Sequence, residues 1–272
     1  MTNTKQLFSD TCNRLPVSIE VDQLKKQFGR FVVLDNISLK IEPGEIFVLM
    51  GPSGSGKSVF LDLLAGLSKP SSGRLSINQE DLQYVKKTKK YVMGLVFQSG
   101  ALFNSMTIFD NLALYLREHR LFNEREIRSR VTQMLDMLTL KGVSQIMPSE
   151  LSGGMRKRVA LARGLLMEPD ILLFDEPTSE LDPITAASII ELIGYVNKQL
   201  RITTLIVSHD ILLAQTIGHH IALLHNGFIQ EIYTPQTLPQ SSRSFVRNFL
   251  NPTIDLNHPR FLPRRHENKI IG

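Results

Sequence analysis

Apolar and polar positions alternate around Val17, Ile19 and Val21, and again around Ile37, Leu39 and Ile41. Each stretch predicts a strand buried on one face. Glu42, Pro43 and Gly44 break the second. From residue 45 to residue 50 the chain turns apolar without alternation, the pattern of a strand covered on both faces. A helix is predicted over residues 57–67, stopped near Ser71, Ser72 and Gly73. Residues 91–97 predict another strand.

The period then changes. Residues 107–119 and 123–140 predict helices, and in the second Ile127, Val131, Met134, Leu135 and Leu138 form one apolar stripe suited to packing. Asn123 with Glu126 three residues on marks a helix start. A third helix is predicted over residues 152–167. After Pro169 strands return at residues 171–174 and 203–207, with helices over 184–200 and 211–217. Asn226-Gly227 between two apolar stretches predicts a hairpin. Strands alternating with helices predict an α/β protein with a mainly parallel core and an inserted helical lobe. A final helix over residues 241–250 would place Phe245, Phe249 and Leu250 on one side, and this tail is expected to dock on a second copy of the chain, an accessory subunit or anionic lipid heads.

Composition narrows the class. Hydrophobic residues are 42% and charged residues 21% of the chain, which excludes a wholly disordered protein. No apolar run approaches the ~18 to 20 residues of a membrane span, and the first residues carry no secretory pattern. A single cysteine, Cys12, excludes an internal disulfide and a cysteine-based metal site, and points to a reducing compartment. Of the net charge of +5, residues 236–272 supply +4, from Arg243, Arg247, Arg260, Arg264, Arg265 and Lys269 against Asp255 and Glu267. The body is nearly neutral, which argues against a nucleic-acid partner.

Chemistry enters at residues 51–58, where Gly51, Pro52, Ser53, Gly54, Ser55, Gly56, Lys57 and Ser58 follow a buried strand and open a helix. Spaced glycines, Lys and Ser in that context form a phosphate-binding loop. Its amides and the helix N-terminus face the phosphates, Lys57 reaches the outer ones, and Ser58 holds Mg²⁺. Asp175 and Glu176 end a buried strand, where one carboxylate suits a metal and the next suits a water-activating base. His209 follows another strand. Leu151, Ser152, Gly153, Gly154 and Met155 open a second helix with amides set for an anion, followed by Arg156, Lys157, Arg158 and Arg163. That charge run is expected to be a solvated face. Two anion-binding helix starts are more than one nucleotide needs from one chain, so the second is expected to act on another subunit's nucleotide.

These motifs and their order over residues 17–233 resemble the ATP-binding-cassette ATPases. The resemblance implies a P-loop fold with a RecA-like core, an N-terminal antiparallel β subdomain and a helical subdomain inserted at about 99–168, within an ATPase domain of 17–235 followed by the basic extension of 236–272. It implies nucleotide contacts from an adenine-stacking Phe28, from residues 51–58 with Val59, from the Q-loop Gln98, and from the signature residues Ser152, Gly153, Gly154 and Met155. It further implies Mg²⁺ on Ser58, Gln98 and Asp175, and catalytic roles for Glu176, His209 and Lys57. A D-loop falls at residues 179–182. Two positions depart from the family pattern: Met155 stands where Gln is usual and Glu180 where Ala is usual.

A narrower likeness lies in the stretch from Phe97 to Phe103, in Phe109–Leu112 and Leu116–His119, in Met147–Met155 and in Asp182-Pro183-Ile184. These are similar to the ATPase subunit of Mla/Mce-type lipid transporters. That family implies a second copy of the chain, an integral permease, an MCE-domain protein and, in some systems, a STAS-domain subunit. It also implies a place on the cytoplasmic face of the bacterial inner membrane. Another solute remains an alternative, as does a soluble non-transport role. The loop of residues 99–103 either fills the lobe's own core or forms a groove for a permease helix, and the groove is expected at Leu102 and Phe103.

Overall fold

The protein, seen in a computed structural model, is described here for residues 14–252. Cys12, the first ten residues, and Asp255, Arg260, Arg264, Arg265, Glu267 and Lys269 lie outside the described residues. Strands β1 (Ile19–Phe28), β2 (Phe31–Ile41), β4 (Ser72–Ile77) and β5 (Glu80–Asp81) form an antiparallel sheet in the order β2-β1-β4-β5. The alternation of β1 shifts at Gln23, where φ is 47° and the register breaks between Val21 and Leu24. The bulge restores Leu24 to the buried face after Ile19 and Val21.

The second sheet has six strands, in the order β10-β9-β3-β8-β7-β6. These are β3 (Ile46–Met50), β6 (Met93–Val96), β7 (Ile171–Asp175), β8 (Thr203–Ser208), β9 (His220–His225) and β10 (Phe228–Tyr233). All pairs are parallel except the β9–β10 hairpin. At its turn Asn226 and Gly227 both have positive φ, 51° and 80°, as a two-residue turn matching strand twist requires. Gly227 also accepts a bond from Asp35 N at 2.9 Å, so the hairpin tip is tied to β2.

The parallel sheet separates two cores. Phe47 and Leu49 face one, with α1 (Lys57–Leu64) and the antiparallel sheet. Ile46, Val48 and Met50 face the other, with the helical lobe. That lobe is α3 (Ile108–Glu118), α4 (Glu124–Met137) and α5 (Gly153–Leu166), inserted between β6 and β7. Thr107 caps α3, and Asn123 with Glu126 forms a reciprocal capping box on α4. Arg117 joins the two helices, bonding Glu124 at 2.7 and 2.9 Å and Asp110 at 2.9 Å. The apolar stripe of α4 is buried, as packing demands. Helices α6 (Pro183–Leu200) and α7 (Ile211–Ile217) complete the core.

Several boundaries differ from expectation. Helix α1 ends at Leu64, three residues early, and Ser72-Gly73 begins β4 instead of a loop. Helix α2 (Leu82–Thr88), capped by Asp81, is a short segment ending in lysines with no long apolar period to announce it. The last helix, α8 (Ser244–Leu250), starts three residues late. It docks on its own chain: Val246 is fully buried, Phe245 stacks on His225 at 3.8 Å, and Arg243 meets Glu231 at 3.0 Å. Among the described residues no helix is long and apolar enough to cross a membrane.

Asn111, wholly buried on α3, accepts a bond from Phe103 N at 2.7 Å and donates to Phe103 O, Met106 O and Thr107 O at 3.0 to 3.2 Å. Asn111→Ala removes the partner of Phe103 N and of Met106 O, while Phe103 O keeps its bond from Met106 N and Thr107 O its bond from Asn111 N. It is expected to cost roughly 3 kcal/mol in chemical denaturation.

Candidate active site

The phosphate loop leaves the carboxyl end of β3 and enters α1 through Gly56, whose φ of 104° excludes most side chains. Gly51 is required for a different reason: a Cβ there would lie 2.3 Å from Leu224 O. Helix α1 has no side-chain cap and no acidic residue in its first turn, so its amides and dipole are left for an anion. Lys57 is buried and donates to Gly51 O at 2.8 Å and Pro52 O at 3.2 Å. The hydroxyl of Ser55 is buried with no partner. A lysine satisfied by its own loop and a buried, unmatched hydroxyl both suit phosphate oxygens, so the residues present fit a nucleotide.

Strands β7 and β8, in parallel register beside β3, bring the acidic residues to the same edge. Ser58 Oγ lies 3.5 Å from Asp175 Oδ1. Burial, and then the neighbouring Glu176, hold the Asp175 carboxyl above the usual aspartate range. A hydroxyl and a carboxylate are both oxygen donors of the kind a hard divalent cation takes, and such a charge would offset the cost of ionising Asp175. Glu176 has φ 47°, a left-handed conformation that costs a residue with a Cβ about 1–2 kcal/mol. The turn points its carboxylate back into the site. There Oε2 accepts from Ser208 Oγ at 3.1 Å and His209 N at 3.3 Å and meets His209 Nδ1 at 2.9 Å, while Oε1 lies 3.6 Å from Lys57 Nζ. Thr178 binds Asp210 at 2.8 Å, and Asp210 caps α7, which fixes the segment carrying His209.

The other expected residues lie apart from this group. Ser152 caps α5 and accepts from Met155 N at 3.3 Å. Gly153 lines a cleft of about 340 Å³ with Gln98, Lys157, Ser179 and Glu180. Pro52, Ser53, Gly54 and Ser55 line a different cleft of about 290 Å³, with Phe31 and His225. Within one chain the two anion-binding helix starts therefore serve separate spaces. Phe28 is half-exposed, pairs with Phe31 across the hairpin tip and carries Lys26 Nζ 4.8 Å from its ring centre. Phe31, at 72% exposure, is the aromatic that lines the phosphate-loop cleft, and no motif in the sequence marks it.

The charge run of α5 is not a solvated face. Lys157 is buried and donates to Gln98 O, Glu176 O and Ser179 Oγ. Arg163 forks onto Ala101 O at 2.7 Å and Gly100 O at 3.1 Å, and Arg158 bonds Thr139 and Ser188. Arg156 alone of the four is exposed. Lys157 sits four residues before Leu161 and three after Gly154, on the buried stripe of α5. That placement is the signal that could have found it.

A profile of the ABC transporter family matches residues 34–179. The chain belongs to the ABC transporter family. The cassette is 42% identical over 239 residues to the probable ribonucleotide transport ATP-binding protein mkl of Mycobacterium tuberculosis, covering 86% of this chain and 67% of that one. It is 38% identical over 231 residues to the intermembrane phospholipid transport system ATP-binding protein MlaF of Escherichia coli K12, covering 84% and 86%. Among solved structures it is similar to a dimeric, post-hydrolysis ATP-binding cassette, MJ0796, bound to ADP and Pi, with a TM-score of 0.71 and 32% identity over 80% of this chain and 98% of that one. It is also similar to cbiO1 of Clostridium perfringens, part of the ABC transporter complex cbiONQ, with a TM-score of 0.75 and 28% identity over 86% and 95%.

The cassette is thus an ATP-binding ATPase, the motor subunit of a transporter, with the P-loop α/β fold of its family. Its two departures have visible consequences. Met155 packs against the helical-lobe core while its amide keeps the Ser152 cap. Glu180, at φ 64°, offers its carboxylate to Gln98 Nε2 at 3.3 Å. The raised Asp175 carboxyl yields a prediction for the cassette free of nucleotide and metal. Ionised Asp175 destabilises the fold at pH values above the ordinary aspartate range, and the effect disappears as pH falls into that range. Asp175→Asn should therefore raise the thermal midpoint at pH 7, with the gain shrinking towards acid pH and the stabilisation by added Mg²⁺ reduced.

Proposed function

We propose that the cassette powers phospholipid movement between membranes. The observation that carries this reading is the likeness to MlaF over 84% of this chain and 86% of that one. The Phe97–Phe103 stretch, Met155 and Asp182-Pro183-Ile184 support it. On this reading two copies work beneath an integral permease on the cytoplasmic face of the bacterial inner membrane, with an MCE-domain protein and, where the system has one, a STAS-domain subunit. A second reading, transport of another solute, is favoured by the higher identity to mkl, whose name refers to ribonucleotide transport.

The site roles proposed are those that the family resemblance implies. The loop of residues 51–58, with Val59, grips the phosphates; adenine stacking is assigned to Phe28, with its strand partner Phe31 on the wall of the cleft. Lys57 exchanges its two loop carbonyls for phosphate oxygens. Ser58, Asp175 and Gln98 hold Mg²⁺, which when bound would neutralise phosphate charge as a Lewis acid. Glu176 takes the proton of the attacking water. His209 fixes the Glu176 carboxylate and faces the terminal phosphate. Ser152, Gly153, Gly154 and Met155 complete the site of a second copy; of these Gly153 lines a cleft separate from the one lined by the phosphate loop of its own chain.

Glu176→Gln should retain ATP binding in an equilibrium nucleotide assay while turnover falls roughly 10²- to 10⁴-fold, the usual worth of a positioned general base. Near-normal turnover would remove Glu176 from the role.

The lipid reading is tested by isolating the full chain from native membranes. A permease, an MCE-domain protein and phospholipid are expected to accompany it, and a different solute's binding protein would overturn the reading. The ring of Phe103 is 49% exposed while Asn111 grips its backbone at both ends. An aromatic on so fixed a backbone suits a permease groove. Phe103→Ala should leave ATP affinity within about twofold and weaken recovery of the permease roughly tenfold or more.

A further inference from the structure

We propose that Lys157 is a positioning residue that ties the signature helix to the Q-loop, the Glu176 turn and the D-loop of its own chain, and so sets where Glu176 stands for hydrolysis. The Nζ of Lys157 has three protons and three acceptors: Gln98 O, Glu176 O at 3.1 Å and Ser179 Oγ at 3.3 Å. Those acceptors belong to three separate segments, one after β6, one at the end of β7 and one in the D-loop. The Glu176 carbonyl is the point of convergence. It also accepts from Ser179 N at 3.2 Å and Ser179 Oγ at 2.8 Å. Three donors on one carbonyl hold the left-handed turn that aims the carboxylate.

A second cation of α5 supports the division of labour. Arg163 grips Gly100 O and Ala101 O, two residues that also have positive φ. It fixes the Q-loop to α5, and Lys157 then carries that unit across to the parallel sheet. Glu180 closes the circuit by accepting from Gln98 Nε2. Burial pushes the Lys157 ammonium below its usual range, while Glu180, Glu176 and Asp175 oppose the shift. The helical lobe and the catalytic segment are thereby joined through one buried ammonium with all its donors used.

The inference rests on ATP hydrolysis and is independent of the transported solute. The test uses the full-length protein with Lys157→Met, which keeps the volume and removes the donors, and Lys157→Arg, which restores a cation with several donors. In nucleotide-free protein, Lys157→Met should speed amide hydrogen exchange about tenfold in residues 99–101 and 178–181, with strand β8 unchanged. It should lower kcat about tenfold with KM for ATP within twofold, the worth of bonds from a charged donor. Lys157→Arg should recover most of both effects. Ser179→Ala, a smaller change that removes one acceptor and one donor to Glu176 O, should shift exchange and kcat in the same direction by a few-fold. Wild-type exchange in both loops with Lys157→Met would overturn the proposal. So would a rise in exchange spread over β8 and the core with no recovery by Arg, because that would mark Lys157 as packing only. The exchange measurement needs no turnover, so it stands even if Glu176→Gln shows that another group is the base.

Discussion

Parallel register between β3, β8 and β7 is the constraint from which the rest of the cassette follows. Met50 lies opposite Ser208, and Asp175 opposite Val207, so the three strands end together. Whatever follows them in sequence must meet at one edge, where ligands of open parallel sheets collect. The phosphate loop, the Asp175-Glu176 pair and the Ser208-His209 pair are those continuations. Such a sheet is stable only if both faces are covered. The antiparallel sheet with α1 covers one and the helical lobe with α6 and α7 the other. The lobe thus shields half of the sheet and also carries the signature residues.

Electrostatics then decides the fine geometry. Burial makes a charge on Asp175 at the end of β7 costly, and the adjacent Glu176 carboxylate adds to the cost. The surroundings offset this locally: Lys57 faces Glu176 from the phosphate loop, and Lys157 sits behind it on α5. The strained φ of Glu176 persists because its carbonyl and carboxylate are both held by several partners. Backbone strain and a partly buried charge occur at the same residue, on the edge where the phosphate loop lies.

Much of this was legible in the sequence because its signals are local. The continuous apolar residues of β3 and β7 announce strands covered twice, and glycine spacing announces the phosphate loop. Asn123 with Glu126 announces the start of α4, and Asn226-Gly227 the hairpin. What escaped depends on tertiary contact. Helix α2 is too short and too rich in lysine for its period to show. The Gln23 bulge reverses the alternation of β1 in the middle of the strand. Lys157 looks solvated by composition and is buried by position, since its three acceptors come from segments distant in sequence. Phe28 and Phe31 are three residues apart on a two-stranded tip, and no pattern says which ring turns toward the loop.

The stack of Phe245 on His225 joins parts of the chain with different duties. His225 ends β9 and forms part of the wall of the cleft beside the phosphate loop. Phe245 belongs to α8, the last described helix, which is anchored by Val246 and by Arg243 on Glu231. The hairpin between them is pinned to β2 through Asp35 and Gly227. The C-terminal helix thus abuts, through the ring stack, the wall of the cleft that the phosphate loop lines.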